Sequence, residues 1–201
     1  MKPMVTLCLA LAISFSTAAQ ENPATANKPA AATQTALMPM AKPSPEIRKL
    51  IASFAGNWTG TMTTEPFMGM PGGTSHGPAR FHAGPGSLSL VEDVITIDDQ
   101  HHRFVGQGVI WWDATANAYN SLWCDSSSPS GCQNGGTGKW EGSSLVFNGT
   151  FDMMGKQYTM KETYSDFSPD GFNFVMEAGE GSSPMQKMFT VEYKKAVKPA
   201  K

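Results

Sequence analysis

The chain has 201 residues, with 15 Lys and Arg against 17 Asp and Glu for a formal charge of −2, and is 40% hydrophobic, 10% aromatic and 16% charged. Near-neutrality removes the basic footprint that phosphate-backbone binding needs, so nucleic acid is not an expected partner. Low charge with a fair aromatic content excludes a wholly disordered chain, and the length allows one domain of ordinary size.

Residues 1–19 read as an export signal. Lys2 gives a positive start, and Val5 to Phe15 is an apolar run of signal-peptide length, too short to span a bilayer. Ser16 to Ala19 supply the small residues for cleavage after Ala19 or Ala18. A lipid anchor on Cys8 is disfavoured, because Leu7 stands where such sites want a small residue. Cleavage removes Lys2 and no acid, for a mature charge of −3. No other stretch approaches 18 apolar residues, so the mature chain is expected to be soluble, periplasmic or secreted, without stable membrane insertion. In that oxidising setting Cys124 and Cys132, eight positions apart around a Ser/Pro/Gly loop, read as a disulfide. They lack the second pair or closely spaced His of a zinc site.

Residues 20–43 are rich in Ala, Pro, Thr and Asn and poor in large apolar groups, so they read as a disordered leader. Its Met38-Pro39-Met40 is a weak Cu(I) candidate, with no His or Cys nearby. A helix is expected from Ser44. Ser44 suits the cap, Pro45 the first turn and Glu46 the positive dipole end. Ile47, Leu50, Ile51 and Phe54 then form one apolar face before Gly56 ends it.

From Trp58 the period becomes two. Strands are expected at 57–64, 76–83, 87–97, 102–112, 117–124, 133–140, 144–151, 156–166, 171–178 and 186–194, separated by Gly, Pro, Asn and Asp turns. Ten short strands with no helices between them call for antiparallel pairing. Glycines inside them (Gly60, Gly106, Gly108, Gly136, Gly138 and Gly149) suit a sheet bent into closure. The expected fold is all-β: a closed up-and-down antiparallel barrel of about ten strands, spanning 44–195, with one short N-terminal helix.

Alternation then sorts the faces. Tyr158, Met160, Glu162 and Tyr164 share the face opposite a run of Gln, Thr and Lys, so they point inward. Phe172, Phe174 and Met176 align likewise, as do Trp58, Gly60 and Met62. Such a lining is either a filled core or an apolar ligand cavity with Glu162 as orienting polar group. The candidate ligand-binding set is Trp58, Met62, Tyr158, Met160, Glu162, Tyr164, Phe174 and Met176, with Arg80 as expected partner of the buried carboxylate. The 87–97 strand is apolar on both sides and its faces stay unassigned. In 102–112 the adjacent Trp111 and Trp112 must point oppositely. One is therefore covered by the helix or the leader, or else marks a partner face through which the protein forms a homo-oligomer.

Phe54-Ala55-Gly56-Asn57-Trp58-Thr59-Gly60 resembles the Gly-x-Trp opening of lipocalin-type (calycin) barrels. With Phe104 to Asp113, Tyr119 to Trp123 and Phe189 to Tyr193, the likeness extends over about residues 45–194 to exported bacterial lipocalin-like proteins of unknown function. The resemblance implies a calycin-like barrel and small hydrophobic ligands. Two departures stand out. True lipocalins bring a late arginine onto the first-strand tryptophan, where this chain offers only Lys194 and Lys195. Haem-binding relatives with ten strands use a late histidine, whereas His76, His82, His101 and His102 all lie in the first half of the domain; no haem or other cofactor is expected.

No Gly-x-Ser-x-Gly elbow, Walker loop, His-Glu-x-x-His or dinucleotide fingerprint appears. Glu92-Asp93 and Asp98-Asp99 put neighbouring carboxylates on opposite faces, unlike a glycosidase pair, and the histidines read as exposed turn residues rather than a metal site. The expected function is binding of a small apolar or amphipathic molecule. The alternatives are a filled scaffold working through the Trp111 face, then an enzyme with an unrecognised site.

Overall fold

The structure, a computed structural model, describes residues 40–67, 69 and 71–197. The expected export signal, most of the expected leader and all but Met40 of the Met-Pro-Met element lie outside the described residues.

Ser44 caps the helix α1 (Pro45–Phe54), its hydroxyl accepting from the Ile47 backbone N–H at 3.2 Å. The helix buries Ile47, Leu50 and Phe54, three of the four residues of the expected apolar face. Ten strands follow: β1 (Gly56–Thr64), β2 (Gly73–Ala83), β3 (Ser89–Asp98), β4 (Arg103–Asp113), β5 (Ala118–Asp125), β6 (Cys132–Glu141), β7 (Ser144–Met153), β8 (Lys156–Ser168), β9 (Gly171–Glu180) and β10 (Gln186–Lys195). Each is antiparallel to its chain neighbour, and β10 pairs back onto β1 (Trp58 opposite Lys195, Met62 opposite Val191), so the barrel closes without a free edge. The residue at 87 belongs to a short helical turn, Pro85–Ser87, rather than to the strand expected there.

The helix seals one end of the barrel. Its last residue, Phe54, meets Phe81, Tyr164, Phe167 and Phe172 at ring separations of 5.0–5.6 Å. Trp58 Nε1 donates to the Phe54 carbonyl at 2.9 Å, and Tyr119 Oη donates to the Glu46 carbonyl at 3.0 Å, pinning both ends of α1 to the wall. Lys195 Nζ lies 4.2 Å above the Trp58 ring. Of the two late lysines that stand in place of an arginine, Lys195 is the one that covers the opening tryptophan.

The helix plugs the barrel's end and leaves the outer wall bare. Trp112 turns inward onto Tyr119, while Trp111 stands outside, 37% exposed, so α1 is not its cover; the leader, the other expected cover, lies mostly outside the described residues. At the other end, the β5–β6 turn is stapled by the Cys124–Cys132 disulfide between directly opposed residues. Among the described residues no helix is long and apolar enough to cross a membrane.

Candidate functional site

The interior is divided. Below mid-height it is filled by aromatic rings, with Phe172 touching Phe54, Trp58, Phe81, Tyr164, Phe167 and Tyr193. Above it lies a cavity of about 1120 Å3, opening toward the end that carries the disulfide. Small inward residues, among them Gly77, Ala79, Gly108 and Ser121, line it together with longer flexible ones. Gly106 and Gly108 serve here less by bending the sheet than by making room: a Cβ on Gly106 would stand 2.3 Å from the Trp123 ring, which therefore lies flat on β4. Met62, Met153, Met154, Met160, Met176 and Met188 all face the cavity, an adaptable and polarisable wall.

Two carboxyl groups mark the cavity's lower part. Glu92, on β3, alternates with Leu90, Val94 and Thr96 and is 5% exposed. Tyr193 Oη donates to Glu92 Oε1 at 3.1 Å, and Tyr164 Oη reaches Oε2 at 3.5 Å. The tyrosine rings rest on the aromatic pile below, Tyr164 against Phe54 and Tyr193 against Phe81, so the packed end aims their hydroxyls. Glu162, on β8, is walled in by protein yet keeps contact with the cavity space, and it has no hydrogen-bond partner among the described residues. In a ring of ten strands β3 and β8 are five places apart in either direction, so the two carboxyls project from opposite walls. Desolvation pushes Glu92 up to about 7, against the opposing pull of the two hydroxyls. Desolvation, reinforced by the charge on Glu92, pushes Glu162 up to about 8.

Six of the nine expected binding residues line the cavity: Met62, Met160, Glu162, Tyr164, Phe174 and Met176. Trp58 and Tyr158 do not line it. Trp58 belongs to the packed end, and Tyr158 is buried near the rim against Phe151 and Phe67, the latter from the β1–β2 loop. Arg80 is exposed on the outer face, since its neighbours Ala79 and Phe81 take the inward positions; it faces the Asp93 side and not Glu162. Glu92 was hidden in the sequence because either phase of its strand is apolar, Leu90/Val94 on one side and Val91/Ile95 on the other. Its one signal was a lone carboxylate sharing a phase with Leu90 and Val94. The four histidines are absent from the cavity lining; His82 and His102 instead pair with Asp93 and Asp98, each at 3.0 Å on the outside. Carboxyls that titrate near neutrality are the kind acid–base catalysis employs. Here one accepts from two hydroxyls and the other has no hydrogen-bond partner among the described residues.

A second, shallower cleft of about 350 Å3 opens beside α1, where Lys49 Nζ sits 4.0 Å over the Trp140 ring.

No curated protein matches the chain. Among solved structures it is similar to Rv2717c from M. tuberculosis, at 12% identity and a TM-score of 0.54, covering 78% of this chain and all of that one. It is also similar to a de novo designed fluorescence-activating β-barrel, at 11% identity and a TM-score of 0.40, covering 72% of this chain and 95% of that one. The first likeness shows the barrel fold alone. A family model described as a protein of unknown function (DUF1579) matches residues 42–195, and the chain belongs to that family.

Proposed function

We propose that this protein is an exported, lipocalin-like barrel that binds one small apolar or amphipathic molecule in its open half. The carrying observation is the cavity of about 1120 Å3, since small-molecule sites commonly run from about 300 to 1,000 Å3. Met62, Met160, Phe174 and Met176 supply an apolar wall, and Glu162 and Tyr164 fix a polar end. Trp58 and Tyr158 act from behind, by holding the two ends of that wall. The signal-like N-terminus and the disulfide support a periplasmic or secreted setting.

Titration with an uncharged solvatochromic dye tests this, read by energy transfer from Trp123 in the wall. Saturable one-to-one binding is expected. Val94→Trp, which fills the lumen from β3, should weaken it at least about tenfold with the far-ultraviolet spectrum unchanged. Absence of saturable binding, or binding that survives the filled lumen, would overturn the proposal.

The outer wall favours a second reading. Trp111 is 37% exposed beside Val91, Val109 and Leu122, a patch suited to self-association. Sedimentation of the wild type against Trp111→Lys separates a monomer from an oligomer built on that face.

A further inference from the structure

The described residues lining the cavity include four carboxylates, Glu92, Glu162, Asp125 and Asp152, and no Lys, Arg or His. The chain as a whole carries only −2, so this imbalance is local to the cavity and not a property of the surface. A cleft lined by one sign of charge and walled by apolar groups concentrates its field inward. One polar group there stands unmatched: Glu162 has no hydrogen-bond partner among the described residues. Leaving a carboxylate unmatched in an apolar enclosure is costly, so the site is complementary to whatever brings a compensating donor.

We infer that the ligand is an amphipathic cation, its ammonium group seated between Glu92 and Glu162 and its apolar body lying along the methionine wall. The inference rests on the ligand-binding reading above and names the chemistry of the guest. An ammonium has three donors and no acceptor, which matches two opposed carboxyl groups, Glu92 already held by two tyrosine hydroxyls and Glu162 without a partner among the described residues. Tyr164, Phe174 and Trp123 add ring faces on which a desolvated cation is favourable. Asp125, held ionised below the usual carboxylate range by the hydroxyls and backbone N–H groups of Ser127 and Ser128, guards the mouth and draws cations toward it. A carboxylate amphiphile would instead add a further negative charge to the same enclosure.

The charged and titratable groups facing the pair are Tyr164 from β8, Tyr193 from β10, Asp125 from β5 and Asp152 from β7, with Asp93 acting on Glu92 from the outer face of β3. All are acids. The empty pair therefore holds protons near neutrality, and an arriving ammonium displaces one of them to the buffer as one Glu–COOH becomes a carboxylate ion-paired with the guest, the other accepting from the ammonium through its carbonyl oxygen. Affinity should consequently rise with pH through the range of about 7 to 8 in which the two groups titrate.

Dodecylamine, dodecanol and dodecanoate share a tail and differ in the head, and calorimetric titration of the full chain with each, below micelle formation, tests the inference. Dodecylamine is expected to bind at least about tenfold tighter than dodecanol, and dodecanoate more weakly than either. Its heat should vary with the buffer's ionisation enthalpy, the signature of proton release. Glu162→Gln should cost dodecylamine about tenfold and leave dodecanol within about twofold, with Glu92→Gln as a second variant should the first fail to fold. Dodecanol or dodecanoate binding as tightly as the amine would overturn the cation and leave the cavity reading standing. No binding by any of the three, together with no dye binding, would overturn both.

Discussion

The two halves of this barrel are built on the same alternation and end up opposite in character. In the sealed half, inward positions are rings: Trp58, Phe81, Phe172 and Tyr193 pack edge-to-face or stacked, and α1 drives Phe54 into the middle of them. In the open half the inward positions are Gly77, Ala79, Val94, Gly108, Ser121 and Thr150, interrupted by thioethers and two carboxyls. Alternation decides which side chains face the lumen, and their volume decides whether the lumen fills. Stability and binding are thereby assigned to different ends of the same strands. Phe172 and Phe174 illustrate this on β9, two residues apart: the first touches six rings, the second lines the void.

The largest effect expected from this division is on Phe172. Phe172→Ala should cost about 3–5 kcal/mol in urea denaturation, because a ring enclosed on all sides leaves a cavity its neighbours cannot close. Phe174→Ala, whose ring already faces empty space, should cost less than about 2 kcal/mol while changing dye affinity. Equal losses at the two positions would break the comparison. Next comes pH. Both glutamates have native values raised above the ordinary 4.5, so between there and about 7 to 8 the folded chain holds more protons than the unfolded chain. Stability of the empty barrel should then fall as pH rises through that window and level off above it, by a total on the order of 3 kcal/mol once contact with cavity water is discounted. Denaturation midpoints from about pH 5 to pH 8 check the sign, and Glu162→Gln should flatten the curve.

Much of the barrel was legible because closure leaves a period-two record on every strand. The ten expected strands all form, and the Gly-rich turns fall between them. The helix was legible from its cap and spacing, and the disulfide from the short separation of Cys124 and Cys132. The candidate site was legible only where polar residues broke the ambiguity of phase. On β8, Lys161 and Thr163 define the outside, so Glu162 falls inside. On β3 both phases are greasy, and Glu92 took its place from the pairing with β2 and β4. Arg80 is no partner for Glu162 for a related reason: alternation overrides electrostatic need, and the inward Ala79 and Phe81 fix its direction outward. How deep a residue sits along the barrel axis leaves no periodic trace. Trp58 and Met62 share a face and lie on the two sides of the boundary between filled and hollow.

The smallest effect concerns the seal itself. Lys195 stands opposite Trp58 in the β1–β10 pairing, and its ammonium covers the indole at 4.2 Å where the last strand meets the first. The contact is at the edge of the packed end and partly open to water, so Lys195→Ala should cost about 0.5–1 kcal/mol. Lys195→Arg should cost less, because a guanidinium stacks on the same ring. Trp58 fluorescence and the denaturation midpoint should shift together in the alanine variant. Dye and amine affinity should not follow, because the aromatic pile between this contact and the glutamates is a close-packed layer that α1 already holds from below. A change in affinity as large as that caused by substituting Glu162 would mean that the two ends move as one body, and that the filled half sets the shape of the hollow half directly.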